Sequence, residues 1–367
     1  MKRPYTIDTW DFDYTAGQAD WLNFQITDDT FWGLSHGDNS GVYEAARLLS
    51  QMFEIVGSEE EAEHWRETAL GIQTRANDLL FNGRFYTHFY KLTPVTIQGC
   101  DEAEQLSLSN PMAINRGLAT HDIAVAILRE YQHRRENTNA FAEWFGIDPP
   151  FPDGIFGDEK LVGGAYINGG IFPLVGGELA RAAFEHGFEE YGLQTLEQYR
   201  NLIAESNATY LWYFPDRTPC SKETSTSPEV SSTDGWGASA MLYAFVEGLC
   251  GIEDLGYSFK YVRCSPRWAV TEEAEAQVQV GYAASGASFG YEFRHVQEKA
   301  VITISFSQVR CNLDLHILLP PGCRASAARW NGETVPFQTS VVEQSCYIDI
   351  TGVVAGRCEV EIEYEHA

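Results

Sequence analysis

The sequence predicts a mainly α-helical domain followed by a small antiparallel β-sandwich. Apolar residues recur at helical spacing between residues 41 and 250, often in pairs of segments joined by short turns. Long loops rich in glycine, proline and aromatic residues separate these pairs, and alternating apolar runs replace the helical spacing after residue 255. We therefore predict a helical-hairpin toroid, with its site at the loop end, over residues 1–254 and a sandwich over residues 255–367.

The first predicted hairpin lies in residues 42–80, where apolar side chains form two helical stripes. Gly57 ends the first helix, and Ser58 with Glu61 forms a capping box for the second. Because the turn is so short, the two helices are expected to pack antiparallel. The stripes are Val42, Ala45, Leu49, Met52, Phe53 and Val56, then Trp65, Ala69, Ile72, Ala76, Leu79 and Leu80.

The same spacing predicts later helices, and residues 1–37 are predicted to be loop and turn. Long loops inside a compact domain are usually functional. The later helices are predicted over residues 111–135, 170–187, 191–206 and 236–250, the last with Met241, Leu242, Phe245 and Leu249 inward. The long loops are 82–110, 145–169 and 207–235.

In the last third of the sequence, apolar and polar residues alternate, as is typical of half-buried β-strands. Pro320-Pro321-Gly322 and Asn331-Gly332 separate apolar runs, and Asn-Gly between such runs is a strong hairpin signal. Because its loops hold no cluster of acids, we expect this domain to be structural. The predicted strands are 275–281, 288–294, 300–306, 313–319 and 357–364.

Composition excludes several classes of protein. The formal net charge of -27 would repel a phosphate backbone, so no nucleic-acid partner is expected. No run approaches the ~20 apolar residues of a membrane span. The first ten residues lack the apolar core of a signal peptide, so we predict a cytoplasmic protein. The eight cysteines form no close CxxC pair, so we predict free thiols and no metal site. Gly163-Gly164 and Gly169-Gly170 lack the Lys-Ser/Thr of a phosphate loop, and no cofactor is expected.

Several segments at the borders of the predicted helices share a pattern. They are Trp10-Asp11-Phe12, Phe81-Asn82-Gly83-Arg84-Phe85-Tyr86, Tyr166-Ile167-Asn168-Gly169-Gly170-Ile171-Phe172-Pro173 and Asp234-Gly235-Trp236-Gly237-Ala238-Ser239. Together they resemble the six-hairpin (α/α)6 glycosidase superfamily, the first of them the segment that carries the general acid in trehalases. Leu318-Leu319-Pro320-Pro321-Gly322 and Trp330-Asn331-Gly332 are similar to the C-terminal sandwich of bacterial α-L-rhamnosidases.

Against the full six hairpins, this chain has roughly three to four before residue 255. The resemblance therefore implies a partial six-hairpin barrel. Either the sequence is part of a longer protein, or the remaining helices come from elsewhere.

The resemblance implies a glycoside hydrolase, which needs two carboxyl groups across the scissile bond. Asp11 is the predicted acid, because apolar rings on either side and the nearby Asp13 would raise its pKa. Glu223 is the predicted base, since it lies in the interval where trehalase-like enzymes place theirs. Asp13, Glu229 and Asp38 are the alternates. Asp11 could instead be a turn residue, and Glu223 a solvated loop acid.

Sugar sites combine aromatic faces with polar side chains. The predicted substrate-binding residues are Trp10, His36, Asp38, Tyr166, Asn168, Trp212, Asp234 and Trp236. Each has a structural alternative, such as packing for the aromatic residues or capping of the following helix for Asp38.

An inverting hydrolase with a carbohydrate substrate is the preferred prediction, and the sugar, its linkage and the anomeric outcome stay open. Polysaccharide lyases and sugar epimerases with a toroid fold are one rival class. A non-catalytic carbohydrate-binding or scaffold protein is the other. Fold alone does not choose between these classes.

Overall fold

The computed structural model describes residues 1–4, 6–7, 10–11, 28, 30–156, 158–225, 231–296 and 299–366, with only the backbone of 6–7 and 10–11. Seven α-helices lie in these ranges: α1 His36–Ile55, α2 Glu59–Leu80, α3 Ser109–Asn115, α4 His121–Asn137, α5 Pro173–Glu185, α6 Glu189–Ser206 and α7 Trp236–Tyr243. Shorter helical turns are the 3-10 segments Glu102–Glu104 and Trp268–Val270 and the π-helical segment Ala244–Leu249.

Helices α1 and α2 form the predicted hairpin. The Ser35 hydroxyl caps α1 by accepting the Asp38 backbone N–H at 3.3 Å, and the Ser50 hydroxyl donates to the Ala62 carbonyl across the hairpin at 2.7 Å. The buried positions of both helices are mostly small or polar, which lets their backbones approach closely. The predicted apolar stripe of α1 was wrong as a buried face: none of its residues is buried, and Ala45, Met52 and Val56 are exposed.

Two predicted helices are interrupted. The helix expected over 111–135 is two helices, because Gly117 has a φ of +79° in the turn between them. The helix expected over 236–250 becomes π-helical after Tyr243, and Leu242 and Phe245, expected inward, are exposed. The first 37 residues were predicted to be loop but also contain short strands.

The strands before the sandwich are short. They are β1 Arg3–Pro4, β2 Thr6–Ile7, β3 Trp10–Asp11, β4 Trp32–Ser35, β5 Phe89–Lys91, β6 Leu106–Ser107 and β7 Ile147–Asp148. They form a three-stranded sheet of order β1-β4-β5 and the pairs β2-β3 and β6-β7. The sheet strand β4 runs directly into α1 and so fixes where that helix begins.

The last third forms two larger sheets. The strands are β8 Ile252–Asp254, β9 Tyr261–Cys264, β10 Glu275–Gly281, β11 Ser288–Val296, β12 Lys299–Phe306, β13 Cys311–Leu318, β14 Cys323–Trp330, β15 Glu333–Thr334, β16 Gln338–Val342, β17 Ser345–Val354 and β18 Cys358–His366. The orders are β10-β11-β12-β18-β14-β15 and β16-β17-β13-β9-β8. All pairings are antiparallel except that of β9 with β13.

Alternate side chains of the central strands build the sandwich core. Leu313, Leu315 and Ile317 of β13 are buried, as are Val360 and Ile362 of β18 in the other sheet. The predicted fold class, helical hairpins followed by a β-sandwich, is confirmed.

The chain divides into two compact units, each built from two separate segments of the sequence. One unit contains residues 1–182 and 199–241, and the other contains residues 183–198 and 242–367. The boundary after residue 254 stays a prediction.

Candidate functional site

The first unit contains a cavity of about 330 Å³ at the N-terminal turns of four helices. This size is in the range of small-molecule sites, which begin at about 300 Å³. Around it lie Ser35, Gly37 and Asp38 at the start of α1, Ser109 and Met112 of α3, Leu174 and Val175 of α5, and Trp236 of α7, together with Arg3, His88, Ser107, Leu108, Arg116, Gly146, Tyr166, Ile167, Phe172 and Leu211.

Two glycines allow these helix ends to converge. A Cβ atom at Gly37 would lie 2.5 Å from the Ser109 Oγ atom, so α1 and α3 approach closely only because Gly37 has no side chain. A Cβ atom at Gly237 would lie 2.6 Å from the Cβ atom of Pro173, so α7 and α5 likewise approach closely only because Gly237 has no side chain. Backbone proximity at these two positions therefore shapes the cavity.

Charged side chains line one side of the cavity. A guanidinium N–H of Arg3 donates to the Asp38 carboxylate at 2.9 Å. The Nη1 atom of Arg116 donates to the Gly37 carbonyl at 3.2 Å and to the Ser40 hydroxyl at 2.9 Å. Its Nε atom lies 3.4 Å from Glu44. The two arginines thus hold the first turn of α1.

Aromatic rings line another side. The ring centroids of Tyr166 and Phe172 are 5.7 Å apart. Tyr166 has a φ of +43°, in the left-handed region that non-glycine residues rarely adopt, and such strain clusters at functional sites. The Trp236 side chain is 68% exposed, which leaves its ring face available to a ligand.

Ser107 adds a buried hydroxyl group to the cavity wall. It is 3% exposed, and its Oγ atom has no hydrogen-bond partner among the residues that the structure describes. A buried hydroxyl without a partner costs free energy, which a ligand oxygen in the cavity would recover.

The sequence interpretation missed Arg3, Ser107 and Arg116. Arg116 meets Ser40, which is 76 positions away, and no local pattern reveals a contact of that separation.

The cavity brings together three of the predicted binding residues, Asp38, Tyr166 and Trp236. His36 does not line it. The His36 ring is fully buried, stacks on Tyr86 at 5.7 Å between centroids, and bonds through Nδ1 to the Thr87 carbonyl at 3.0 Å. Burial lowers the pKa of His36 to about 4, so the ring is neutral at physiological pH.

Three further predicted residues have structural contacts. Asn168 is buried and bonds to the backbone of Phe151 and Leu161, which fixes the 151–168 loop. Trp212 is 2% exposed and packs edge-on against Phe214. The Asp234 carboxylate caps α7 by accepting the Trp236 backbone N–H at 2.9 Å.

The predicted catalytic pair is described only in part. The backbone of Trp10 and Asp11 forms β3, which pairs with β2, while both side chains lie outside the described parts of the chain. Asp13 and Glu229 also lie outside the described residues. Glu223 is exposed, and a hydrogen bond with Ser221 lowers its pKa. The pairing of Asp11 with Glu223 stays a prediction.

Within the described ranges, no three His, Cys, Asp or Glu side chains are grouped so that they could hold a metal ion. All eight cysteines are free thiols. No helix of the described chain has the length and apolar content needed to cross a membrane.

No protein-family model matches the sequence, and no curated protein matches it. Solved structures do match its fold. An α-L-rhamnosidase from Dictyoglumus thermophilum is 14% identical over 88% of this chain and 31% of its own, with a TM-score of 0.55. A sialidase is 12% identical over 92% of this chain and 28% of its own, with a TM-score of 0.52. A mannosylglycerate hydrolase from Thermus thermophilus covers 59% of this chain and 46% of its own at 16% identity, with a TM-score of 0.39.

This chain spans less than a third of the length of the rhamnosidase and sialidase chains. The likeness shows that the chain has a glycosidase-like fold, with helical hairpins and a β-domain. The predicted fold, helical hairpins followed by a β-domain, is confirmed by this likeness.

Proposed function

We propose that the protein is a glycoside hydrolase that cleaves a glycosidic bond in an oligosaccharide, a polysaccharide or a glycoside. The observation that carries this proposal is the cavity, which combines Asp38, Tyr166 and Trp236 at converging helix ends. A carboxylate beside aromatic rings suits a sugar, since hydroxyl groups donate to the carboxylate and the C–H face packs on a ring. The glycosidase-like fold supports the same class.

Asp38, held by Arg3, is proposed to accept sugar hydroxyl groups. Trp236 is proposed to pack on the sugar ring. Asp11 and Glu223 are retained as acid and base, in an inverting reaction with carboxyl groups ~6.5–9.5 Å apart. Glu223 is ionised near neutral pH, as a base must be before it takes a proton, and its pKa would have to rise when substrate covers it for efficient proton transfer.

The test is sugar release by the purified full chain from a panel of disaccharides and aryl glycosides between about pH 5 and 7. Wild type is compared with Glu223→Gln, Asp38→Asn and the exposed control Glu205→Gln. Release that is lost in Glu223→Gln and kept in the control supports both the class and the base. Release that survives in Glu223→Gln keeps the class and removes the base.

A carbohydrate-binding protein without catalysis is the second candidate. It is favoured by one observation: Asp38 is the only carboxylate among the described residues that line the cavity, whereas hydrolysis needs two. This alternative predicts that a sugar raises the melting temperature of the chain while no substrate of the panel is cleaved.

A further inference from the structure

The charge of the cavity differs from that of the whole chain. The sequence contains 52 acidic and 25 basic residues, so acids outnumber bases about two to one. Among the described residues that line the cavity there are two arginines, Arg3 and Arg116, and one acidic residue, Asp38. The ratio of acidic to basic residues is therefore reversed in this lining. Glu44 lies behind Arg116 at 3.4 Å without lining the cavity. In so acidic a protein, an excess of arginine over acid in the described lining of the cavity favours an anionic ligand.

Arg116 still has donors to offer. A guanidinium group carries five N–H donors in a planar fork. In Arg116, the Nη1 atom bonds to Gly37 and Ser40, and the Nε atom faces Glu44. The Nη2 atom has no hydrogen-bond partner in the part of the chain that the structure describes. A ligand carboxylate could therefore bind it without breaking the contacts that hold α1.

The start of α5 adds to this positive potential. The residue before α5 is Phe172, whose side chain cannot cap a helix, and the first turn of α5 contains no acidic residue. By contrast, the Asp234 carboxylate caps α7. Because Leu174 and Val175 line the cavity, the positive end of the α5 dipole lies beside it.

Ser107 is an independent indication of a ligand. The residue lines the cavity, and its buried hydroxyl group lacks a partner among the described residues. A serine O–H donates readily to a carboxylate oxygen, and this donor is as yet unused.

We propose that the sugar bound in this cavity carries a carboxylate, as a hexuronate does, and that Arg116 and Ser107 donate hydrogen bonds to it. This inference rests on the proposed carbohydrate function and names its substrate class. Asp38, paired with Arg3, is left to accept sugar hydroxyl groups. A hydrogen bond to a charged partner is stronger than one between neutral groups, so a hexuronate should bind about tenfold to a hundredfold more tightly than the matching hexose.

The experiment measures the affinity of the full chain for glucuronate against glucose, and for galacturonate against galactose, by titration calorimetry. Arg116→Gln should lower the ratio of hexuronate to hexose affinity about tenfold, whereas Arg116→Lys should keep part of it. Asp38→Asn removes the negative charge of the cavity and should raise the ratio. Arg324→Gln, at an exposed arginine of the sandwich, is the matched control.

The opposite directions expected for Arg116→Gln and Asp38→Asn separate a charge effect from general damage to the fold. If Arg116→Gln does not fold, the Lys and Asn variants still test the ratio. Equal affinity for acid and neutral sugars, or a ratio that Arg116→Gln leaves unchanged, overturns the inference and leaves a glycosidase of neutral sugars intact. Tight hexuronate binding without cleavage of any glycoside, hexuronides included, supports the inference and overturns the hydrolase. No binding and no cleavage of any sugar overturns both.

Discussion

At the scale of single residues, two tryptophans of the same aromatic-rich region have opposite environments. Trp212 is 2% exposed and packs among other rings, while Trp236 is 68% exposed at the edge of the cavity. The sequence predicted both as sugar contacts, because a tryptophan between glycines and aromatics fits either role. Only the path of the loops around them decides which ring face is open, and that path depends on distant contacts.

Alanine substitution should separate the two tryptophans. Trp236→Ala should weaken sugar binding by about 1 kcal/mol, roughly fivefold, and leave the unfolding free energy nearly unchanged. Trp212→Ala should reduce the unfolding free energy by about 3–5 kcal/mol through the cavity it leaves. Calorimetric affinity and urea unfolding of both variants check this. A stable Trp212→Ala protein that no longer binds sugar would contradict the assignment.

His36 should make stability depend on pH. Burial lowers its folded pKa to about 4, below the unfolded value of about 6.5, so the unfolded chain binds the proton first. Stability from this group is complete above the unfolded pKa and is lost as the pH falls from about 6.5 to about 4. The loss between about pH 7 and pH 5 is about 2 kcal/mol.

The measurement for His36 is the unfolding free energy at both pH values. His36→Asn keeps a donor for the Thr87 carbonyl and should remove about 2 kcal/mol of the pH dependence. The His64→Asn substitution, at an exposed position of α2, serves as the control for the loss of a histidine. An identical pH dependence in wild type and His36→Asn would show that another group is responsible.

At the scale of elements, helices and hairpins with local signals were predictable. The α1–α2 hairpin follows from the Gly57 turn and the apolar stripe of α2. The predicted capping box was wrong, because the Ser58 hydroxyl donates to the Glu61 carboxylate and does not cap the α2 backbone. Six sandwich strands, β8, β9 and β14 to β17, were not predicted. Strand β17 contains alternating apolar residues that the prediction overlooked. Strand β14, with the sequence Cys-Arg-Ala-Ser-Ala-Ala-Arg-Trp, contains no β-branched residue, and its pairing with β18 comes from sheet context. Likewise, no proline marks the point where α7 becomes π-helical. Local patterns therefore predict elements that carry their own signals, and tertiary pairing supplies the others.

The close approach of α5 and α7 gives a test at this scale. Gly237→Ala would place a Cβ atom 2.6 Å from that of Pro173 and 3.2 Å from the Leu174 backbone N atom. The helices would have to separate, which should cost about 1–3 kcal/mol of unfolding free energy and widen the cavity. Gly235→Ala is the matched control in the same loop, because no described atom lies within 4 Å of the position that its Cβ atom would occupy. Thermal unfolding of both variants should show a lower melting temperature for Gly237→Ala alone.

At the scale of the whole molecule, the change from helical to alternating apolar spacing predicted a domain boundary after residue 254. The second compact unit also includes residues 183–198 and 242–254. The contacts of Arg267 illustrate why apolar spacing alone does not reveal which residues belong to the second unit. It is 2% exposed in the sandwich unit, and its Nη2 atom donates to Glu185 at 2.9 Å. Glu189 in turn accepts hydrogen bonds from Ser345 and Tyr347. These partners belong to helices, so a change from helical to alternating patterns does not mark the limit of the unit.

A fragment of residues 255–367 should therefore be less stable than the same sandwich in the full chain. It lacks the edge strand β8 and takes two partners from the Arg267 guanidinium, the Glu185 carboxylate and the Gly248 carbonyl. Arg267→Met should consequently have opposite effects in the two contexts. In the full chain it breaks a buried ion pair and should lower the unfolding free energy by about 3 kcal/mol. In the fragment it removes an unpaired charge and should raise the melting temperature. If the substitution destabilises both forms equally, Glu185 does not support the sandwich and the boundary after residue 254 is the better description.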